Sequence, residues 1–192
     1  MGSPFNIYMT GVGGQGIGLQ AELLARAAAQ AGLPVKGCDT HGLAQRGGIV
    51  SSHLRLGQGA HSPLVEAGRA DLVVALERCE ALRALRAMLA PSGVLLWYDA
   101  SWQPLEVRLG KARAVETEDV FAEAAARGVV ARRVFREDLD DPRQQNMALV
   151  ADIAGAGLIP GLGLEHYRTA LADLLDGAAL AKNIAVLEGI GR

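Results

Sequence analysis

The chain has 192 residues, half of them hydrophobic, with 19 Lys and Arg against 21 Asp and Glu for a formal charge of −2. That length and apolar content suit one α/β domain with an ordinary core and exclude long disorder. Scattered, nearly balanced charge disfavours nucleic acid as a partner, and no apolar run reaches the roughly 18 residues expected of a membrane span.

In chain order, "PFNIYMTGV" reads as a short strand that the glycines of "TGVGGQGIG" interrupt. From Ile17, "IGLQAELLARAAAQAG" sets Ile17, Ala21, Leu24, Ala28 and Ala31 at helical spacing, with Gly32 closing the helix. "LPVKGCD" is a second strand, so the chain opens with a βαβ unit of right-handed crossover. The polar loop "THGLAQRGG" follows, then "IVSSHLRLG". There Val50, Ser52, Leu54 and Leu56 share one side while Ser51, His53 and Arg55 share the other, the pattern of a strand with one buried face. "ADLVVAL" and "SGVLLWYD" read as buried strands flanking the helix "CEALRALRAMLAP", which Pro91 and Gly93 stop. "ARAVET" is expected as one more strand, and Thr117 as the cap of the helix "EDVFAEAAARG". From about residue 141 the pattern is helical, through "DPRQQNMALVADIAGAG", "LEHYRTALADLLDG" and "AALAKNIAVLEGIG". The expected fold is one α/β domain over residues 1–192: a Rossmann-like, doubly wound, mostly parallel sheet with a helical C-terminal extension.

Two loops carry the chemistry. Gly11, Gly13 and Gly16 satisfy G-x-G-x-x-G between a strand and a helix, with Gly14 and Gln15 inside the motif. Glycine there lets a ligand approach the backbone, and the helix start offers amide hydrogens and positive potential to an anion. Asp39 lies about 20 residues further on, near where a dinucleotide fold places its ribose-binding acid. This loop alone leaves open a dinucleotide, a tight packing turn, another anion or a partner's backbone. The second loop, which opens at Thr40, is expected to stand His41, Gln45 and Arg46 near the carboxyl ends of the strands, where open α/β sheets bind ligands. Arg46 can fork onto a carboxylate or phosphate, and Gly47 and Gly48 keep the backbone thin enough for another surface to come close. Cys38 and Cys79 are too few for an iron–sulfur cluster, which takes four thiolates, and lack the close pairing of a zinc site. They read as buried, reduced thiols of a cytoplasmic protein.

Together, "GVGGQGIGLQAELLARAA", "THGLAQRGGIVSSHLRLG", "EAGRADLVVALERCEALR" and "NIAVLEGI" resemble the gamma-type domain of 2-oxoacid:ferredoxin oxidoreductases, and within that family its indolepyruvate branch. "NMALVADIAGAGLIP" is similar to the family's Asn-led helix. The resemblance implies a beta (gamma-type) subunit, inactive alone, of an enzyme that oxidatively decarboxylates an aryl 2-oxoacid such as indole-3-pyruvate. Its products are the acyl-CoA and carbon dioxide, with ferredoxin as electron acceptor. It places thiamine diphosphate, magnesium and 4Fe–4S clusters on a larger alpha subunit and makes coenzyme A the cosubstrate. On this reading the amides of Gly13, Gly14 and Gly16 and the side chain of Gln15 accept an anionic group such as a coenzyme A phosphate, while Thr40, His41, Gln45 and Arg46 line the entrance or the subunit contact. The rival expectations are a stand-alone NAD(P)-dependent oxidoreductase and a nucleotide-sensing module.

Overall fold

The computed structural model describes residues 3–41, 48–102, 105–139 and 141–189. β1 (Phe5–Val12) is followed by α1 (Ile17–Gln30), whose last turn closes on Ala31 and Gly32, the latter at φ +76° with its amide on Ala29 O. β2 (Val35–His41) and β3 (Ile49–Leu56) come next, then β4 (Ala70–Ala75), α2 (Arg78–Ala87) and β5 (Leu89–Tyr98). A short α3 (Leu105–Arg108), α4 (Thr117–Arg127) and β6 (Val130–Val134) lead to a 3-10 turn at Pro142–Gln144 and to α5 (Gln145–Gly155), α6 (Leu164–Leu174) and α7 (Gly177–Glu188).

The six strands order as β2-β3-β1-β4-β5-β6. β1, β4, β5 and β6 pair in parallel, whereas β3 runs antiparallel to both β1 and β2. The mostly parallel α/β sheet with its C-terminal helices is therefore as expected. One feature of the opening unit is not: β1 and β2 share a direction but do not touch, because β3 lies between them. A strand reached through a short loop must return antiparallel, and the stretch from His41 to Ile49 is far too short for a parallel crossover.

α1 and α5 cover one face of the sheet over Ile7, Met9, Leu54, Leu72, Val74 and Leu96, and α6 and α7 pack onto those two helices. α2 and α4 cover β4 and β5 on the other face, around Val73, Ala75, Leu95 and Trp97. Where that second face reaches β3, the segment after the strand replaces a helix. Val65 is buried, and its amide donates to Nδ1 of the buried His53 at 3.1 Å. The expected solvent side of β3 is thus partly covered.

Three further expectations are corrected. α2 ends at Ala87, before Pro91, and both Pro91 and Gly93 lie within β5, where pairing with β4 jumps from Ala70–Leu89 to Leu72–Val94. A Cβ on Gly93 would lie 2.7 Å from Ala70 O, so the irregular crossing requires glycine. No strand forms at "ARAVET": Glu116 caps α4 in a reciprocal box with Asp119, and Thr117 turns its hydroxyl to Asp99 instead. β6, which the sequence pattern did not single out, supplies the sixth strand. Its alternation is hidden because Arg132 and Arg133 are both held in ion pairs, with Asp152 and Asp99.

Candidate functional site

β1 delivers the glycine turn to the carboxyl edge of the sheet. The chain order reverses between β1 and β4, so the turn stands at the topological switch point, where open α/β sheets bind ligands. Gly14 and Gly16 both adopt positive φ, +103° and +83°. Gly11 is required by crowding instead, since a Cβ there would meet Gln15 Oε1 at 2.7 Å and Leu76 Cβ at 3.0 Å.

Gln15 spans the turn. Its Oε1 accepts from Val12 N at 2.7 Å, and its Nε2 donates to Leu76 O at 3.1 Å, so one amide pins the ends of β1 and β4 together. Gly13 N donates to Gly48 O at 2.9 Å, and Gln15 N donates to Val12 O at 3.1 Å. Both ends of the Gln15 side chain and the Gly13 amide therefore have partners inside the protein, a structural use not anticipated for them. The amides left at the head of α1 come from Gly16, Ile17, Gly18 and Leu19, because the first helical bond runs from Gln20 N to Gly16 O. α1 has no side-chain cap and no acid in its first turn, which keeps the positive end of its dipole unneutralised.

The second loop meets the first through Gly48. β3 pairs Ile49 with Val12 and Val50 with Gly11, so the chain re-enters the sheet against the glycine turn. Thr40, exposed, and His41 close β2, pairing with Ser51 and Val50. They stand two strands from β1, about 10 Å away at ordinary strand spacing. Gln45, Arg46 and Gly47 lie outside the described residues. The structure thus joins Gly11, Gly13, Gly14, Gln15, Gly16 and Gly48 directly and sets Thr40 and His41 one strand beyond.

Asp39 does not reach the turn. With β3 inserted it sits on the edge strand, and its carboxylate accepts the Ser52 hydroxyl at 2.5 Å. A ribose-binding acid needs its strand beside β1, so this part of the dinucleotide expectation fails on topology.

A cleft of about 350 Å³ opens beside the turn, lined by Gly14 and Gln15, by Ala100, Ser101 and Trp102 beyond β5, and by Pro142, Arg143 and Gln145 at the start of α5. Trp102 is 51% exposed. α5, like α1, starts without a side-chain cap or an acid in its first turn. α5, however, continues from a 3-10 turn that Asp141 caps, and its Gln145 and Met147 amides are already bonded, to Pro142 O and Asn146 Oδ1; the open amides at the head of α1 are the ones suited to an anion. Among the described residues, no group of three His, Cys, Asp or Glu could hold a metal ion, and no helix is long and apolar enough to cross a membrane.

Buried polar groups outside the two loops support this rim. Asn146, buried at the head of α5, donates from Nδ2 to Gly16 O at 3.2 Å. Its signal was present in "QNMALVADIAG", one buried amide in an otherwise apolar run. Beneath β4, Glu77 caps α2 through the amides of Cys79 and Glu80, and the Trp102 amide also supports its carboxylate. Burial pushes the Glu77 carboxyl above its ordinary range despite those amides. Glu80, buried too, accepts the Thr10 hydroxyl at 3.0 Å and pairs with Arg83. Asp99, at the end of β5, pairs with Arg78 and Arg133 and accepts the Thr117 hydroxyl. Burial would raise its pKa, but the bonds from Arg78, Arg133 and Thr117 outweigh that and hold it below the usual carboxylate range. Arg78 N also donates to Ala100 O, so this hub fixes the root of the Trp102 segment.

The family model for pyruvate ferredoxin/flavodoxin oxidoreductase matches residues 6–190. The chain is 31% identical over 188 residues to the indolepyruvate oxidoreductase subunit IorB of Archaeoglobus fulgidus, an alignment covering 95% of this chain and 92% of that one. In fold it is similar to the pyruvate oxidoreductase subunit PORC of Thermotoga maritima, with a TM-score of 0.65, 21% identity and coverage of 98% and 95%. It is also similar to part of the 2-oxoglutarate:ferredoxin oxidoreductase of Magnetococcus marinus, solved with 2-oxoglutarate, coenzyme A and succinyl-CoA bound. There the TM-score is 0.67 at 17% identity, and 98% of this chain matches 30% of that one.

Proposed function

Because this chain belongs to the pyruvate ferredoxin/flavodoxin oxidoreductase family, we propose that it is the smaller, gamma-type subunit of an enzyme that oxidatively decarboxylates aryl 2-oxoacids such as indole-3-pyruvate. The reading is carried by the near full-length relationship to an indolepyruvate oxidoreductase subunit. A larger alpha subunit carries thiamine diphosphate, magnesium and 4Fe–4S clusters, passes electrons to ferredoxin and hands the acyl group to coenzyme A. The complex works in the cytoplasm.

This chain contributes one wall of a shared site. Gly14 lines the cleft, and its amide, with that of Gly16 at the head of α1, receives an anionic part of coenzyme A. Gln15 and Gly13 hold the turn in shape through their bonds to Val12, Leu76 and Gly48. Thr40, His41, Gln45 and Arg46, with Gly47 and Gly48, serve the entrance to that site or the contact with the alpha subunit.

The test is reconstitution with the alpha subunit, followed by measurement of thioester formation from arylpyruvates with coenzyme A and ferredoxin. The complex is expected to form arylacetyl-CoA, and neither subunit alone to do so. Turnover by the lone chain, or a complex inert toward every arylpyruvate, would overturn the assignment. Arg46→Ala is expected to weaken turnover or assembly, and an unaffected variant would remove the second loop from the site.

A further inference from the structure

We propose that Asn146 is a positioning residue for the glycine turn, and that it has to be a neutral amide to serve it. The inference rests on the reading above that the turn receives an anionic part of coenzyme A.

Asn146 is 4% exposed and is the one buried polar side chain of α5, amid Met147, Ala148, Leu149, Val150, Ala151 and Ile153. A buried amide has to be satisfied at both ends, and here one end bonds within α5 while the other reaches the head of α1. Nδ2 donates to Gly16 O at 3.2 Å, the Asn146 carbonyl accepts Gln20 Nε2 at 3.4 Å, and Oδ1 accepts Met147 N at 2.7 Å. Gly16 O is also the acceptor of the first α1 bond, from Gln20 N. The side chain therefore holds the residue at which the turn becomes a helix. The fit is close, since a Cβ on Gly16 would lie 2.5 Å from Nδ2. The neighbouring residues Arg143 and Gln145 line one wall of the cleft, and Gly14 and Gln15 line the facing one. The bond from Asn146 to Gly16 thus sets the spacing of the two walls.

Helix electrostatics alone favour an acid at this place, in the first turn of α5 and against the first turn of α1. Asp would nevertheless do two things that Asn does not. It would set a carboxylate oxygen against Gly16 O, where a donor is needed, and it would place a negative charge beside the amides that receive the anion. The amide supplies the donor and leaves the positive potential at the head of α1 to the ligand.

The experiment compares Asn146→Asp and Asn146→Ser in the reconstituted two-subunit complex. KM for coenzyme A, kcat and the melting midpoint are measured for each, across a pH series normalised to wild type. Asn146→Asp is expected to raise KM for coenzyme A about tenfold, as one like charge about 6 Å from an anion does at a partly screened site, with kcat little changed. Asn146→Ser, which removes the Nδ2 amide that donates to Gly16 O and adds no charge, is expected to show a smaller rise. The Asp defect shrinks on acidification, because a protonated Asp can donate to Gly16 O, while the Ser defect stays flat. If Asn146→Asp does not assemble, Asn146→Ser decides: a raised KM at unchanged kcat supports the proposal, and a wild-type KM overturns it. Melting shifts in both variants with KM unmoved would show a purely structural residue and overturn the inference alone. A wild-type complex that makes no thioester overturns the functional reading and this inference with it.

Discussion

Gly16→Ala is the sharpest single perturbation of the rim. Gly16 has φ +83° and ψ +27°, a left-handed conformation that costs an L-residue about 1–2 kcal/mol. The new methyl also lands 2.5 Å from Asn146 Nδ2. Displacing that amide loses its bond to Gly16 O and strands buried polar atoms, for about 1–3 kcal/mol more. The expected total is about 2–5 kcal/mol, and at about 2–4 °C per kcal/mol for a chain of this size the melting midpoint falls by roughly 7–14 °C for a mid-range loss. Thermal unfolding of the isolated chain, followed by circular dichroism, measures this. Two neighbours calibrate it. Gly14→Ala meets nothing within 4 Å but keeps φ at +103°, so it carries the backbone cost alone. Gly18→Ala lies inside α1 with open space around the new methyl and gains about 0.5–1 kcal/mol. Combining Gly16→Ala with Asn146→Ala relieves the clash, so the double variant loses at least about 1 kcal/mol less than the two single losses added together. Strict additivity, or Gly16→Ala no worse than Gly14→Ala, would refute the account of the turn.

Gln15→Ala removes an acceptor for Val12 N and a donor to Leu76 O, and is expected to cost about 2 kcal/mol in denaturant titration. Asp99→Asn takes the charge from between Arg78 and Arg133, with an expected loss of about 2–3 kcal/mol given the exposure of Arg133. Because the Asp99 carboxyl is held below its ordinary value of 3.8, its contribution is complete above that pH and is lost as acid titrates it in the fold. Wild type should therefore lose stability more steeply than Asp99→Asn below about pH 4, as acid unfolding curves would show. Burial lowers the pKa of His53 from 6.5, and its neutral Nδ1 accepts from Val65 N. Stability from this group is complete above pH 6.5 and falls on acidification below it. His53→Asn keeps an acceptor but cannot titrate, so its stability between pH 7 and 5 should fall less steeply than wild type's, measured as melting midpoint against pH.

Much of the rim was legible because its causes are local. The helical spacing from Ile17 to Ala31 and the closing Gly32 placed α1, and the glycine pattern placed the turn before it. Other elements depended on distant partners. Thr117 looked like a cap, but Asp99 across the sheet takes its hydroxyl and leaves capping to Glu116. β6 escaped notice because its two arginines are neutralised by acids on β5 and α5, residues no local window contains. Gln15 looked available to a ligand, yet its amide is used where the ends of β1 and β4 meet.

The sequence by itself determined what short-range sterics and periodicity decide: an α/β chain, a glycine turn between β1 and α1, and a helical C-terminal third. Strand order was decided only in the folded molecule, because pairing is a contest among segments far apart in the chain. Inserting β3 between β1 and β2 carried Asp39 out to the sheet edge and brought Gly48 onto Gly13. The packing of α5 against α1 then set Asn146 on Gly16. These long-range contacts brought Gly48 and the head of α5 onto the glycine turn, and no local pattern could have specified them.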